Sequence, residues 1–234
     1  MNAYKHFAYY YDDVFQDLDY TLWLKFIEPY TTSSSSILDL ACGSGTFAIL
    51  LKLKGYDVEG MDLSSSIIDI AKEKAKMNHL SIPFFVGDMT NFNLNKTYDV
   101  ITCFFDSVNF LKNQEDIQNL ISTVHKHLNS NGIFVFDIFS KTLLEEYKKH
   151  TLKKKFPAHS IKWTTHKINA STLQHSIHIQ EGDLKLEEIY YEYYHDINSL
   201  SFEGFEVLKI SGDFNEDYLE GDERILVVLK KVAQ

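Results

Sequence analysis

One short segment limits what this chain can fold into more than any other: an apolar run ends in a turn with two glycines. The run covers residues 37–41, the glycines are Gly43 and Gly45, and a helical pattern over residues 46–54 follows directly. Glycine lets a backbone turn tightly and approach a ligand closely. The free N–H groups at the start of a helix bind polar or negatively charged groups. This order of elements predicts a ligand-binding turn at the edge of an α/β sheet.

Strand and helix patterns go on alternating after this turn. Strands are predicted at residues 58–62, 83–86, 99–105 and 133–139, helices at residues 64–78 and 114–129, and a helical lead-in at residues 1–30. Five predicted strands, three of them followed by a helix, predict an α/β fold with a Rossmann-like, doubly wound and mostly parallel sheet. Two more strands are predicted at residues 205–210 and 224–229.

The alternation of strands and helices breaks after the fifth strand. Residues 159–195 alternate polar and apolar side chains, as in Ile161 and Trp163, which is typical of antiparallel strands. We therefore predict one domain from residues 1–140 and 196–234, with a small antiparallel β insertion at residues 141–195 over the sheet's edge or active face. The lysine run at residues 148–155 is interpreted as a solvated loop or helix face rather than an anion site.

Composition restricts the classes of molecule that we expect this protein to bind. The chain has 234 residues and a net charge of −10, which disfavours nucleic acid and membrane surfaces. Cys42 and Cys103 have no zinc-type spacing, so we expect no metal site and a reducing compartment. Because residues 1–5 lack an apolar signal core, we expect a cytoplasmic protein.

Acidic residues end the second and third predicted strands. Asp62 follows Gly45 by 17 residues, where a carboxylate accepts the hydroxyls of a ribose in nucleotide-binding sheets; its alternative role is to cap the next helix. Asp88 suits the exocyclic amine of an adenine, with Met89 packing on the ring; its alternative role is in a turn.

Two ligands match a glycine loop that is followed by an acid. Residues 43–48 fit the dinucleotide fingerprint with alanine last, which indicates an NAD(P)-dependent oxidoreductase as an alternative. However, Asp39 precedes the loop and no Arg or Lys lies in it, so a cationic sulfonium is better tolerated than a diphosphate. This favours S-adenosylmethionine. A non-enzymatic cofactor-binding module that docks a partner through its extra strands is a third hypothesis.

These motifs resemble those of class I S-adenosylmethionine-dependent methyltransferases. The matching segments are residues 38–46, 60–64, 87–89, 98–110 and 128–137. The chain is most similar to small bacterial enzymes related to sugar-amine and glycine N-methyltransferases. The resemblance implies an antiparallel last strand and a tyrosine, here Tyr11, that closes over the cofactor. The cofactor-binding residues that we predict are Tyr11, Trp23, Asp39, Ala41, Gly43, Gly45, Asp62, Leu63, Asp88, Met89, Phe104 and Asp106.

The chain also departs from the family it resembles. Glu188-Ile189-Tyr190 stands where relatives carry Glu-x-His, and residues 196–201 leave little room for the usual helix, whereas Glu223 and Arg224 match. Trp23 lines the cofactor's mouth or packs in the core; both interpretations stay open.

Methyl transfer from a sulfonium is an in-line displacement that needs alignment and, for an amine or hydroxyl, sometimes a base. Asp106 and Asn109, at the end of the fourth strand, and His195, on the insertion side, are the predicted catalytic residues. His175 and His178 are the other insertion histidines placed to reach the pocket. The sequence lacks the motifs of adenine N6- and cytosine C5-methyltransferases, so we predict transfer to N or O of a small molecule.

Overall fold

The computed structural model describes residues 6–147 and 149–232, which form two β-sheets joined by helices and turns. The strands are β1 Ser36–Leu40, β2 Asp57–Asp62, β3 Phe84–Val86, β4 Tyr98–Cys103, β5 Leu128–Phe139, β6 Lys149–Lys155, β7 His159–Asn169, β8 Thr172–Glu181, β9 Leu184–Tyr193, β10 Phe205–Gly212 and β11 Arg224–Lys231. The helices are α1 Tyr11–Val14, α2 Thr21–Ile27, α3 Thr46–Leu53, α4 Ser65–Met77, α5 Gln114–His127 and α6 Lys141–Glu146.

The larger sheet has seven strands in the order β10-β11-β5-β4-β1-β2-β3. Strands β1 to β5 pair in parallel, and β11 runs antiparallel to both of its neighbours. The predicted doubly wound, mostly parallel sheet with an antiparallel last strand is therefore confirmed. Because the strand order reverses between β1 and β4, the carboxyl ends of these strands open into a crevice, where α/β sheets bind ligands.

Helices cover both faces of this sheet, which explains why its strands are almost continuously apolar. Helix α5 buries the stripe Ile117, Leu120 and Ile121 on one face, and its N-cap Asn113 accepts a hydrogen bond from the Asp116 amide at 2.9 Å. Helices α2, α3 and α4 pack on the other face.

The smaller sheet is fully antiparallel, in the order β6-β7-β8-β9. Its inner face packs Ile161 and Ile177 against Phe7 and Val14 of the N-terminal segment. The interpretation of the lysine run as a loop or helix face is wrong, because Lys149–Lys155 is a strand; Lys148 lies outside the described residues. A single 3-10 turn, Ile197–Ser199, stands before β10, as the short stretch at residues 196–201 predicted. Among the described residues, no helix combines the length and apolar character needed to span a bilayer.

Candidate active site

The glycine loop lies at the carboxyl end of β1 and needs glycine for two different reasons. Gly45 has φ +77°, and an added Cβ would lie 2.9 Å from Phe84 Cζ and 3.1 Å from Ala71 Cβ, so glycine allows α3 to pack closely. Gly43 has φ +54°, but a Cβ there would meet only Ile67 at 3.8 Å. The backbone at Gly43 thus has open space beside it. Ala41, with φ +53°, completes the turn.

Two carboxylates lie beside this loop. Asp62 Oδ2 accepts from the Gly43 amide at 3.0 Å, and Oδ1 accepts from the Ser64 amide at 2.9 Å. Burial raises the pKa of Asp62. Asp39 is also buried and accepts from the Thr102 hydroxyl at 2.8 Å; burial raises its pKa to about 7. Because a carboxylate offers about four acceptor positions, Asp62 keeps capacity for two hydroxyls.

The far side of the crevice is open. Asp88 is exposed, and its Oδ1 accepts from the amide and hydroxyl of Thr90 at 2.8 and 2.7 Å, so it also serves the turn after β3. Leu63 is half exposed, and Met89 lies with its sulfur 3.9 Å from Cys103 Sγ. In contrast, Phe104 is buried behind the glycine loop, edge-on to another ring of the core.

The N-terminal segment closes the glycine loop. Asp12 accepts from the Ser44 hydroxyl at 2.6 Å and forms an ion pair with Lys74 at 2.6 Å, and Lys74 also donates to Thr46 at 2.6 Å. The neighbouring Tyr11 lines the cleft that remains at the loop, which encloses about 30 Å³. That volume holds roughly two water molecules. The N-terminal segment therefore covers the glycine loop and leaves little free space between them.

A second, larger cavity of about 320 Å³ lies between the two sheets. It shares Tyr11 and Phe105 with the glycine-loop cleft, so the two spaces are adjacent. Aromatic side chains supply much of its wall, namely Tyr11, Phe15, Trp23, Phe105, Phe110, Phe139, Tyr147 and Trp163. Four carboxylates line it against one guanidinium, Arg224; they are Asp106, Glu192, Asp213 and Glu223.

Asp106 and Asp137 share the guanidinium of Arg224. Arg224 donates to both oxygens of Asp106, at 2.8 and 3.0 Å, and lies 2.9 Å from Asp137. Asp137 also accepts from the Asp106 amide at 2.8 Å and from the Trp23 indole at 2.7 Å. Burial, together with the charge of Asp137, raises the pKa of Asp106 although Arg224 acts in the opposite direction. Two carboxylates per cation leave this group with excess negative charge.

Trp23 packs in the core, and its place at the cofactor's mouth stays a prediction. Its side chain is buried and bonded to Asp137, and one of its edges lines the larger cavity. Trp23 is not among the described residues that line the glycine-loop cleft.

Two of the predicted catalytic residues lie outside the lining of the cavity. Asn109 is fully buried; its amide donates to the Tyr193 carbonyl at 2.9 Å and accepts from the Phe139 amide at 3.1 Å. His195 has its Nε2 2.9 Å from the Leu111 carbonyl, and burial lowers its pKa. Backbone groups therefore bond these polar atoms, and the catalytic role of both residues stays a prediction. Asp106 alone of the predicted three lines the cavity.

His175, which the sequence placed within reach of the pocket, lines the cavity together with Glu192, which the sequence did not single out. His175 Nε2 lies 3.0 Å from Glu192 Oε2, and its Nδ1 lies 3.0 Å from the Trp163 indole nitrogen. Adjacent antiparallel strands β8 and β9 bring the two side chains together. His178, in contrast, lies exposed on the other face of β8.

Comparisons with known proteins complement this geometry. Residues 37–132 match the model of a methyltransferase domain family. A protein of Geobacillus sp. (strain WCH70) that bears a methyltransferase name is 28% identical over 249 aligned positions, covering 98% of this chain and 100% of that protein. The crystal structure of an S-adenosylmethionine-dependent methyltransferase from Clostridium acetobutylicum ATCC 824 covers 99% of this chain and 100% of its own, with 25% identity and a TM-score of 0.84.

The chain is an S-adenosylmethionine-dependent methyltransferase. The oxidoreductase and non-enzymatic interpretations of the glycine loop are thereby set aside, and the methyl donor of this methyltransferase is S-adenosylmethionine. A shorter match is also informative: the dTDP-4-amino-2,3,4,6-tetradeoxy-D-glucose N,N-dimethyltransferase of Saccharopolyspora spinosa is 27% identical over 104 positions, 44% of this chain and 40% of that protein.

Proposed function

We propose that this methyltransferase transfers a methyl group to an amine nitrogen of a small molecule bound in the 320 Å³ cavity. The observation that carries this proposal is the lining of that cavity, in which four carboxylates outnumber one guanidinium among aromatic walls. Carboxylates and aromatic faces both attract cations. A neutral hydroxyl acceptor gains little from such a lining, whereas a protonated amine gains much.

The size of the cavity supports a small acceptor. Small-molecule sites commonly span about 300–1,000 Å³, so 320 Å³ suits a ligand the size of a single ring. The net charge of −10 supports the exclusion of nucleic acid as a substrate. The Saccharopolyspora spinosa relative is named for an amino-sugar substrate, which agrees with an amine acceptor.

The residues beside the crevice fit S-adenosylmethionine. Asp62 has acceptor capacity for the ribose hydroxyls, the open backbone at Gly43 admits close approach, and the buried, underbonded Asp39 favours a nearby positive charge. Asp88, Leu63 and Met89 surround the open end of the crevice and would hold the adenine. Ala41, Gly45 and Phe104 shape the loop and its base, and Tyr11 covers it.

The protein's own task is alignment. When bound, the cofactor supplies an electrophilic methyl group, so no covalent nucleophile is needed. Tyr11 and Phe105, which border both spaces, would separate the cofactor from the acceptor except along the line of transfer. Arg224 holds Asp106 at the cavity wall, where its charge would orient the amine.

Two measurements test this function. Calorimetry with S-adenosylhomocysteine should give a dissociation constant well below about 1 mM. A panel of cyclic primary amines and their matched alcohols, incubated with S-adenosylmethionine, should then yield methylated amines detected by mass spectrometry. Methylation of alcohols in preference to amines would overturn the amine assignment, and absence of any cofactor binding would overturn the whole proposal.

A further inference from the structure

The insertion sheet contributes a proton-accepting group to the cavity. Resting on the proposed function, we infer that Glu192, oriented by His175, binds the ammonium group of the acceptor and takes its proton before methyl transfer. Glu192 would thus be a catalytic residue, and His175 a positioning residue.

The tautomer of His175 follows from its neighbours. The Trp163 indole nitrogen is only a donor, so His175 Nδ1, 3.0 Å away, must accept. The ring's proton is then on Nε2, which donates to Glu192 Oε2 at 3.0 Å. Thr165 Oγ1 lies 3.0 Å from the same Nδ1 and helps to hold the ring. A neutral imidazole therefore fixes the carboxylate without cancelling its charge.

The hydrogen bonds of Glu192 differ from those of two other acids of the cavity, Asp106 and Asp213. Both oxygens of Asp106 bond the guanidinium of Arg224. Both oxygens of Asp213 accept backbone amides, those of Glu223 and Arg224. Glu192 Oε1, in contrast, accepts no hydrogen bond from the described residues, and the side chain is only 16% exposed. A carboxylate oxygen at the cavity wall without a partner among these residues has its acceptor positions open to a donor from a ligand.

Glu192 also faces the place where the acceptor must lie. Its charge acts on Asp106 and on Tyr147, raising the pKa of both after the larger effect of burial. All three residues line the cavity that borders Tyr11 and the glycine-loop cleft. An ammonium placed among them would meet Glu192 on one side and aromatic faces on the others.

The proton balance is simple. One N–H bond of the protonated amine breaks and its proton moves to Glu192, leaving a lone pair on nitrogen. That lone pair forms the new N–C bond while the C–S bond breaks and its electrons stay on sulfur. The methylated product carries a positive charge on nitrogen, and Glu192 releases its proton to water. No oxidant or other co-reactant is needed.

The same two strands offer a matched control pair. His178 Nε2 and Glu187 Oε1 are 3.8 Å apart on the outer face of β8 and β9, both half exposed. In the full-length protein saturated with S-adenosylhomocysteine, the fluorescence of the two tryptophans, both of which line the cavity, reports ligand binding. The probes are cyclohexylamine and cyclohexanol.

Wild type should prefer the amine, and Glu192→Gln should lose about tenfold or more of its amine affinity, because a hydrogen bond to a charged group is worth at least that factor. Its affinities for cyclohexanol and S-adenosylhomocysteine should stay unchanged, and Glu187→Gln should match wild type. His175→Leu should lower amine affinity, and His175→Gln, which keeps an N–H donor, should restore part of it.

Equal amine affinity in wild type and Glu192→Gln, or no preference of wild type for the amine, would overturn this inference. The proposed function fails separately, if wild type methylates no amine of the panel. If wild type does methylate amines and Glu192→Gln does so with unchanged kcat and KM, only the role of Glu192 fails.

Discussion

Asp12 accepts a hydrogen bond from the Ser44 hydroxyl at 2.6 Å and so joins the N-terminal segment to the glycine loop, 32 residues away. Lys74 reinforces the contact from α4 through an ion pair with the same carboxylate. Asp12 therefore helps to hold the neighbouring Tyr11 over the cleft where the cofactor should bind, together with the packing of Phe7 and Val14 on the smaller sheet.

Removal of this contact should loosen the closed segment. We expect Asp12→Ala to weaken binding of S-adenosylhomocysteine by about 1 kcal/mol, or roughly fivefold, mainly through faster dissociation, since a partly exposed ion pair and a hydrogen bond are lost. Stopped-flow displacement measures the rate. Asp17→Ala, which removes an exposed carboxylate paired with Lys154, is the control and should leave it unchanged. Equal rates in both variants would show that Asp12 does not hold the segment closed.

Asp62 provides a direct test of the proposed ribose site. Asp62→Ala should weaken S-adenosylhomocysteine binding by about 1–3 kcal/mol, because two hydrogen bonds to a charged group are lost. Asp57→Ala, at the opposite end of the same strand, should bind normally by calorimetry. The thermal midpoint should be recorded for both, since Asp62 also accepts amides of Gly43 and Ser64. Unchanged affinity in Asp62→Ala would remove the ribose assignment.

Arg224 should matter for stability as well as for the cavity. Arg224→Met leaves the carboxylates of Asp106 and Asp137 without their shared cation, and breaking a buried ion pair costs about 3–5 kcal/mol. Lys209→Met, which removes a surface pair with Glu216, should cost less than about 1 kcal/mol. Urea unfolding monitored by circular dichroism compares the two, and similar losses would contradict a special role for Arg224.

The fold was predicted from local sequence patterns, and strand β6 shows where such patterns fail. Strands such as β1 and helices such as α5 have periodic apolar residues and clear turns, so their positions were predicted to within a few residues. Strand β6 was missed because its inward positions are Leu152 and Lys154, and the lysine stem covers apolar surface while its amine reaches the Val14 carbonyl at 2.8 Å. Because a charged lysine takes an inward position, the sequence of this strand does not show the usual alternation of polar and apolar residues.

Part of the candidate site could likewise be predicted from local sequence patterns, and part could not. The glycine loop and Asp62 lie where a strand end places them, so sequence order was sufficient. The contact of His175 with Glu192 depends on the register between β8 and β9, in which His175 pairs with Tyr190. Composition and spacing do not specify that register. They also do not show that the side chains of Asn109 and His195 form hydrogen bonds with backbone groups.

Asp39 makes the stability of the ligand-free protein depend on pH. Its pKa rises from 3.8 to about 7 on folding because burial disfavours the charged form. The folded state therefore holds the proton more tightly than the unfolded state does. It follows that the contribution of Asp39 is fully present below about pH 4 and is lost as the pH rises toward 7.

The variant Asp39→Asn lacks this titration while keeping an acceptor for the Thr102 hydroxyl. We expect the difference in unfolding free energy, variant minus wild type, to grow in favour of the variant between pH 4 and 7, by up to roughly 4 kcal/mol for a shift of this size. Buried acids that Asp39 does not influence contribute equally to both proteins and cancel in the difference, whereas Asp62, whose charge raises the pKa of Asp39, adds to it. Urea unfolding without cofactor at pH 5, 6, 7 and 8 measures it. A difference that stays constant over this range would mean that Asp39 is as readily ionised in the folded protein as in the unfolded chain, and that it offers the cofactor's positive charge no special advantage.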